Sequence, residues 1–279
     1  MADESHDAFR IRIWGSRGSV PVCGEAFRFF GGNTACVEMR CGDQVLIFDA
    51  GTGLVPAGRA LKLEGATTAQ LFLSHSHYDH IMGLPFFSML YDPRAVVAIW
   101  SGHLAGKMTT SEMLGDFMQP PWLPIGPEVF KARVTTHDFN AGDKLRPHTD
   151  LVIKTAMLNH PGGAIGYRVE WGGRSVAILT DLEHTPGVLD PEVLALIKGC
   201  DLFLYDSTYF EQEMECYRGY GHSSWQHAIL LAQEAKVGQV AFIHHEPCRT
   251  DAVLLDAEAQ AKAMFSGAFF ARDGQVIDL

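Results

Sequence analysis

Three histidines and one aspartate fall within six positions, His75-Ser76-His77-Tyr78-Asp79-His80, directly after the apolar run Leu71-Phe72-Leu73. Imidazole and carboxylate groups are costly to bury unpaired, so such a cluster at a strand end is either fully solvated or holds a cation. The Leu84-Pro85-Phe86-Phe87 segment that follows is too apolar for a solvated loop. His75 and His77, two apart on extended backbone, project to one side, and a turn opening at Tyr78 aims Asp79 and His80 at a second point nearby. The simplest chemistry is two histidines for one metal ion and an Asp-His pair for another.

Other apolar strands end in the same residue types. His160 closes the strand predicted over 151–157, Asp181 follows the second arm of a hairpin over 164–171 and 174–180, Asp206 ends the strand 202–205, and His244 ends the strand 239–243. In a layered sheet protein strand ends converge on one rim, where sites are built. Asp49-Ala-Gly51-Thr-Gly53 closes the strand 44–48; it lacks a P-loop lysine and the spacing of a dinucleotide fingerprint, so Asp49 reads as the cap of a turn that buttresses the histidine strand.

The elements between these ends alternate strands and helices. Strands are predicted at 9–14, 35–40, 44–48 and 95–100, with short strands at 129–136 and 144–146. Helices are predicted at 54–63, 81–91, 104–114, 191–198, 225–235 and 251–265, with a final short strand. Ser223 or Ser224 caps the 225–235 helix, whose Ala228, Leu231, Ala232 and Ala235 share one stripe. Four prolines between Pro120 and Pro127 forbid regular structure there; the segment is either a loop over the site or a surface connection.

The chain has 279 residues, 47% of them apolar, and no linker, repeat or low-complexity tract, which predicts one domain over 1–279. With 22 Lys and Arg against 33 Asp and Glu, the net charge is −11, which repels long nucleic acid. The acidic N-terminus is no secretory signal, and no apolar run reaches the ~18–20 residues a membrane span needs. Six cysteines without Cys-x-x-Cys spacing read as reduced thiols of a cytoplasmic protein rather than a disulfide framework or a thiolate site.

Taken with His160, Asp181 and His244, the His-x-His-x-Asp-His segment resembles the metallo-β-lactamase superfamily. Arg17-Gly-Ser-Val-Pro21, Gly31-Gly-Asn-Thr34, Asp49-Ala-Gly-Thr-Gly53 and the His244-His245-x-Pro247 end extend the likeness over nearly the whole chain. The resemblance implies an α+β fold, a four-layered αβ/βα sandwich with metals at one edge. It implies His75, His77 and His160 as ligands of the first ion, Asp79, His80 and His244 as ligands of the second, and Asp181 as the bridging carboxylate. His244 is chosen over His245 because the family's ligand stands three before the proline. It also implies a homodimer.

Within the superfamily the tail resembles the phosphodiesterase branch that includes the tRNA 3′-processing endonuclease and small cyclic-phosphate phosphodiesterases. Gly221-His222-Ser223-Ser224 is similar to that branch's His-Ser-Thr motif, and Asp206-Ser-Thr208 to its Glu-Ala-Thr segment with Asp for Glu. No long basic, glycine-rich arm is present, which with the acidic charge points to a small phosphodiester or cyclic nucleotide. Imidazoles and carboxylates without thiolate suit two divalent ions, zinc first, with manganese or iron as others the site could take. Such a pair lowers the pKa of a bound water toward ~7, with Asp79, Asp206 and His222 as catalytic residues and His222 facing the phosphate or the leaving oxygen. Two other readings use the same metals: hydrolysis of a thioester, lactone or other ester, which needs neither Asp206 nor His222, and a non-catalytic nucleotide sensor.

Overall fold

Strand alternation decides the layering. The computed structural model describes residues 9–279; the acidic N-terminal segment and His6 lie outside the described residues. One sheet runs β14-β1-β2-β3-β4-β5-β6, comprising β1 (Phe9–Gly15), β2 (Cys36–Cys41), β3 (Gln44–Phe48), β4 (Thr68–Leu73), β5 (Val96–Ser101), β6 (Arg133–Asp138) and β14 (Val276–Asp278). The other runs β13-β12-β11-β10-β9-β8-β7, comprising β7 (Lys144–His148), β8 (Leu151–Leu158), β9 (Ala164–Trp171), β10 (Arg174–Leu179), β11 (Leu202–Asp206), β12 (Gln239–Ile243) and β13 (Ala268–Phe270).

Successive side chains of a strand face opposite sides, and here both sides are apolar. Val176, Ile178, Leu202, Leu204, Ala241 and Ile243 meet Leu46, Phe48 and Phe72 between the sheets. Their neighbours Ala177, Leu179, Phe203, Tyr205, Val240 and Phe242 face the other way, against α4 (Pro191–Ile197), α5 (Trp225–Ala235) and α6 (Asp251–Met264). On the far side Ile47, Leu71 and Leu73 pack under α1 (Leu54–Leu63), with α3 (Thr110–Phe117) flanking them. The result is helix, sheet, sheet, helix, the four-layered α+β sandwich expected. Among the described residues no helix is long and apolar enough to cross a membrane.

Three predicted elements differ from the structure. The helix expected over 81–91 is a single turn, α2 (Tyr78–Ile81), followed by 3₁₀ turns at Leu84–Phe86 and Ser88–Tyr91. Pro85 has no N–H to continue a helix, and a Cβ on Gly83 would lie 2.0 Å from the Gly51 carbonyl, so the chain must pass flush against the Asp49 turn. The helix expected at 104–114 is α3, shifted to 110–117, because Thr109 and Glu112 form a reciprocal capping box there. The strand expected at 129–136 is β6, which starts only at Arg133, where pairing with Val96 of β5 begins.

The parallel strands β3-β4-β5-β6 and β10-β11-β12-β13 leave their C-terminal ends at the sheet rims, where crevices of such sheets form. Phe72 locks the two sheets beneath that rim. It stacks on Phe48 at 5.2 Å and Trp100 at 5.7 Å and lies 5.9 Å from the Tyr167 ring across the sandwich. Phe72→Ala should therefore lower unfolding stability by about 3–5 kcal/mol, read as a lower urea midpoint at an unchanged slope.

Candidate metal centre

Three residues leave their strands with left-handed backbone: Asp49 after β3 (φ 63°), Asp181 after β10 (φ 57°) and His244 after β12 (φ 60°). Alternation would send them toward the helix layers, on the side of Ile47, Leu179 and Phe242. The left-handed residue breaks that alternation and turns each side chain into the gap between the sheets. Asp and His tolerate this conformation better than most residues, and such strain concentrates at functional sites. Gly18 makes room: a Cβ there would sit 2.1 Å from the His244 ring.

All seven residues expected as ligands come together. Donor atoms of His75, His77 and His160 lie within 4.8 Å of one another, as do those of Asp79, His80 and His244 and those of His75, His80 and Asp181. His160 Nε2 is 3.1 Å from His77 Nδ1, and His80 Nε2 is 3.3 Å from His244 Nε2. Nitrogen ligands about 2.0–2.1 Å from a tetrahedral ion are separated by about 3.3 Å, so these spacings suit coordination. Asp181 stands between the groups, with Oδ2 3.1 Å from His80 Nε2 and Oδ1 3.3 Å from His244 Nε2, 3.8 Å from His75 Nε2 and 3.9 Å from His160 Nε2. His245 is elsewhere: Nε2 donates to the Ala271 carbonyl at 2.9 Å and its ring lies on Phe270.

The histidines are oriented from behind. Asp49 accepts from Ser74 N at 2.7 Å, Ser74 Oγ at 2.8 Å and His80 Nδ1 at 2.9 Å, the buttress expected of it. His75 Nδ1 meets Ser74 Oγ at 3.0 Å, His160 Nδ1 donates to the Gly221 carbonyl at 2.8 Å, and His244 Nδ1 meets Thr208 Oγ1 at 2.9 Å. Each of these four rings thus spends Nδ1 on the protein and turns Nε2 inward, as metal-binding histidines do, whereas His77 turns Nδ1 toward His160. Asp79 Oδ2 accepts from Ser19 N at 2.7 Å. Sequence reasoning did not single out Ser19, Ser74 or the Gly221 carbonyl; a Ser-His pair at a strand end was the available signal only for Ser74.

The charges fit a cation. Burial pulls His75 well below the usual imidazole range, His80 adding to the effect, and burial lowers His77 and His160 too. These three are neutral imidazoles with lone pairs to give. Burial also opposes charge on His80 and His244, but the facing Asp181 and Asp79 outweigh it, holding His80 well above its ordinary value and pushing His244 up to about 9. Asp79 and Asp181 stay ionised despite burial, because those imidazoles face them. Buried carboxylates thus draw positive charge to this point, and His75 Nε2 is buried with no hydrogen-bond partner among the described residues. A divalent ion would satisfy both.

Beside the cluster, Asp206 Oδ2 meets His222 Nδ1 at 2.8 Å and accepts from Asp181 N at 3.1 Å. Its Oδ1 accepts from Thr208 N at 2.9 Å and Thr208 Oγ1 at 2.8 Å. Burial would raise the Asp206 pKa, but His222 more than offsets that and holds it low. Ser224 caps α5 by accepting from His227 N. The rings of His184 and His227, which are outside the cluster, stack on each other with centroids 3.8 Å apart, His184 Nδ1 meeting Ser223 Oγ at 2.6 Å. A cavity of about 610 Å³ opens over His77, Asp79, Asp181, His222 and His244. Its walls come from α2, α3 and their flanks, and no residue of the proline-rich 118–127 loop lines it.

A family model described as a beta-lactamase superfamily domain matches residues 44–245. Ribonuclease Z of Pediococcus pentosaceus is 24% identical over 280 residues, covering 85% of this chain and 89% of the relative. Among solved structures, the metallo-beta-lactamase fold protein YhfI from Bacillus subtilis superposes with a TM-score of 0.75 at 20% identity, covering 98% of this chain and 100% of that one. A diphosphatase from the PhnP family superposes with a TM-score of 0.70 at 18% identity, covering 97% and 98%. With the model spanning most of the chain and the histidine-aspartate cluster at the sandwich edge, this protein belongs to the metallo-beta-lactamase superfamily.

Proposed function

We propose that the chain acts as a single-domain, metal-dependent phosphodiesterase of the cytoplasm, cleaving a small phosphodiester. The observation that carries this reading is the Asp206–His222 pair standing against the cluster, with His222 Nδ1 2.8 Å from Asp206 and 3.9 Å from Asp181. Ester or lactone hydrolysis at the same cluster has no use for that pair. The likeness to ribonuclease Z and to a PhnP-family diphosphatase supports phosphoryl chemistry, and six free cysteines suit a reducing compartment.

In this reading His75, His77 and His160 would hold one ion and Asp79, His80 and His244 a second, with Asp181 available to both. An all-imidazole and carboxylate donor set suits zinc, with manganese or iron as alternatives. Bound divalent ions supply Lewis-acid charge for a phosphoryl oxygen and make a water acidic enough to ionise near neutral pH. The chain's own contribution is positional. Asp49, Ser74, Thr208 and the Gly221 carbonyl fix the ring planes. Ser19 N–H aims Asp79, whose carboxylate also lines the cavity and faces incoming substrate. With Nδ1 tied to Asp206, His222 has Nε2 left for the substrate, to donate a hydrogen bond to a phosphate oxygen or a proton to the departing one.

The net charge of −11 favours a small substrate over a long polyanion. Elemental analysis should find two ions per chain in the wild type, with turnover of bis(p-nitrophenyl) phosphate that Asp181→Ala abolishes; bound ions with no diester turnover would move the function to another ester. His222→Ala should cut turnover by roughly 10²–10⁴ with metal content unchanged, and an undiminished rate would remove its role. Asp49→Asn should weaken zinc about 10–100-fold in competition with a chromophoric chelator while the circular dichroism spectrum is kept, since it frees the His80 ring.

A further inference from the structure

The cavity over the cluster has two chemically different sides. Its floor is ionisable, whereas one wall is built from Tyr78, Ile81, Met108, Met113 and Phe117. Tyr78 is 70% exposed and Met108 37% exposed, so apolar surface is held in water directly beside the polar floor. A ligand group that covers it recovers that cost. The Tyr78 and Phe117 rings lie 6.5 Å apart at 48°, an arrangement that offers edges and faces to a third ring.

The wall is held firmly. Thr109 and Glu112 cap α3 reciprocally, and Thr110 N and Oγ1 both donate to Asp138 Oδ1 at 2.7 Å. Apolar contacts on such a preformed surface lose little to ordering. The charge pattern narrows the ligand further. Among the described residues lining the cavity there is no Lys or Arg, and Asp116 of α3 adds a carboxylate. One phosphate finds its counter-charge on the floor; a second anionic group on the same substrate meets only Asp116.

We infer that the α3 wall is the specificity subsite of this cavity, taking an uncharged planar ring attached to a substrate with a single phosphate. The inference rests on the phosphodiesterase reading and names what that substrate carries besides its phosphate. Phe117, Tyr78 and Met108 recognise the ring, and Asp116 rejects substrates with a second negative group.

Calorimetric binding of phenylphosphonate and methylphosphonate to the zinc-loaded protein tests it, because each probe presents one phosphoryl group with or without a ring. The phenyl compound should bind about ten-fold or more tightly. Phe117→Ala and Met108→Ser should each move that ratio toward one, and 4-carboxyphenylphosphonate should bind more weakly than phenylphosphonate by a margin that shrinks in Asp116→Asn. Partial unfolding of a variant raises the apparent dissociation constants of both probes by the same factor, so their ratio is still reported. Equal binding of the two probes by the wild type, or a ratio that survives both wall substitutions, would overturn the inference. Bis(p-nitrophenyl) phosphate turnover on the same preparations reports the phosphodiesterase reading separately: absent turnover with an intact ratio sinks that reading and keeps the subsite.

Discussion

Asp49, Asp79, Asp181 and Asp206 are all buried in one cluster of imidazoles, and so much negative charge in a poorly polarisable interior persists only where positive charge lies against it. The rest of the site follows from this demand. His80 and His244, the two rings that touch both Asp79 and Asp181, are drawn above the ordinary imidazole range by those carboxylates against the effect of burial, while burial lowers His75, His77 and His160. The cluster therefore has two halves, rings drawn toward the carboxylates and rings kept neutral by burial, and an ion between the carboxylates would free the Nε2 lone pairs of the first half. A divalent ion, which carries more charge than an imidazolium, fits both halves.

Burying these groups without loss of geometry requires support from outside the cluster. The hydrogen bonds from Ser74, Thr208, Ser19 and the Gly221 carbonyl supply it, each from an element different from the one whose side chain it orients or from the residue just before it. Asp206 links the His222 ring to the cluster: its Oδ2 meets that ring and accepts from the Asp181 backbone. A change in one element of the rim is thus felt by donors that another element contributes, which is the expected behaviour of a shared polar network.

Above the cluster the protein offers apolar surface rather than cations. The cavity wall carries Met108, Met113 and Phe117, and the chain as a whole is acidic. Contact beyond the polar floor is made to this apolar surface, whose burial favours a compact apolar group.

Much of this was legible in the chain itself. Dense His and Asp residues after the apolar run at Leu71–Leu73, and single donors after four further strands, mark the rim because a buried strand has no other reason to end in ionisable groups. The N-cap at Ser224 and the stripe on α5 follow from local chemistry, and the capping box at Thr109 and Glu112 was readable though the apolar pattern alone misplaced α3. What local chemistry could not decide was anything that depends on a distant neighbour. Gly83 and Pro85 end α2 because the chain must pass the carbonyl of Gly51, more than thirty residues earlier. Local chemistry does not separate His244 from His245, which only the resemblance's spacing to Pro247 distinguishes; a left-handed turn after β12, packed against Gly18, sends one ring into the cluster and leaves the other on Ala271. Residue type and spacing determined which donors this protein owns, and tertiary packing decided where each one points, because direction at a strand end is set by the backbone turn that the opposite sheet permits.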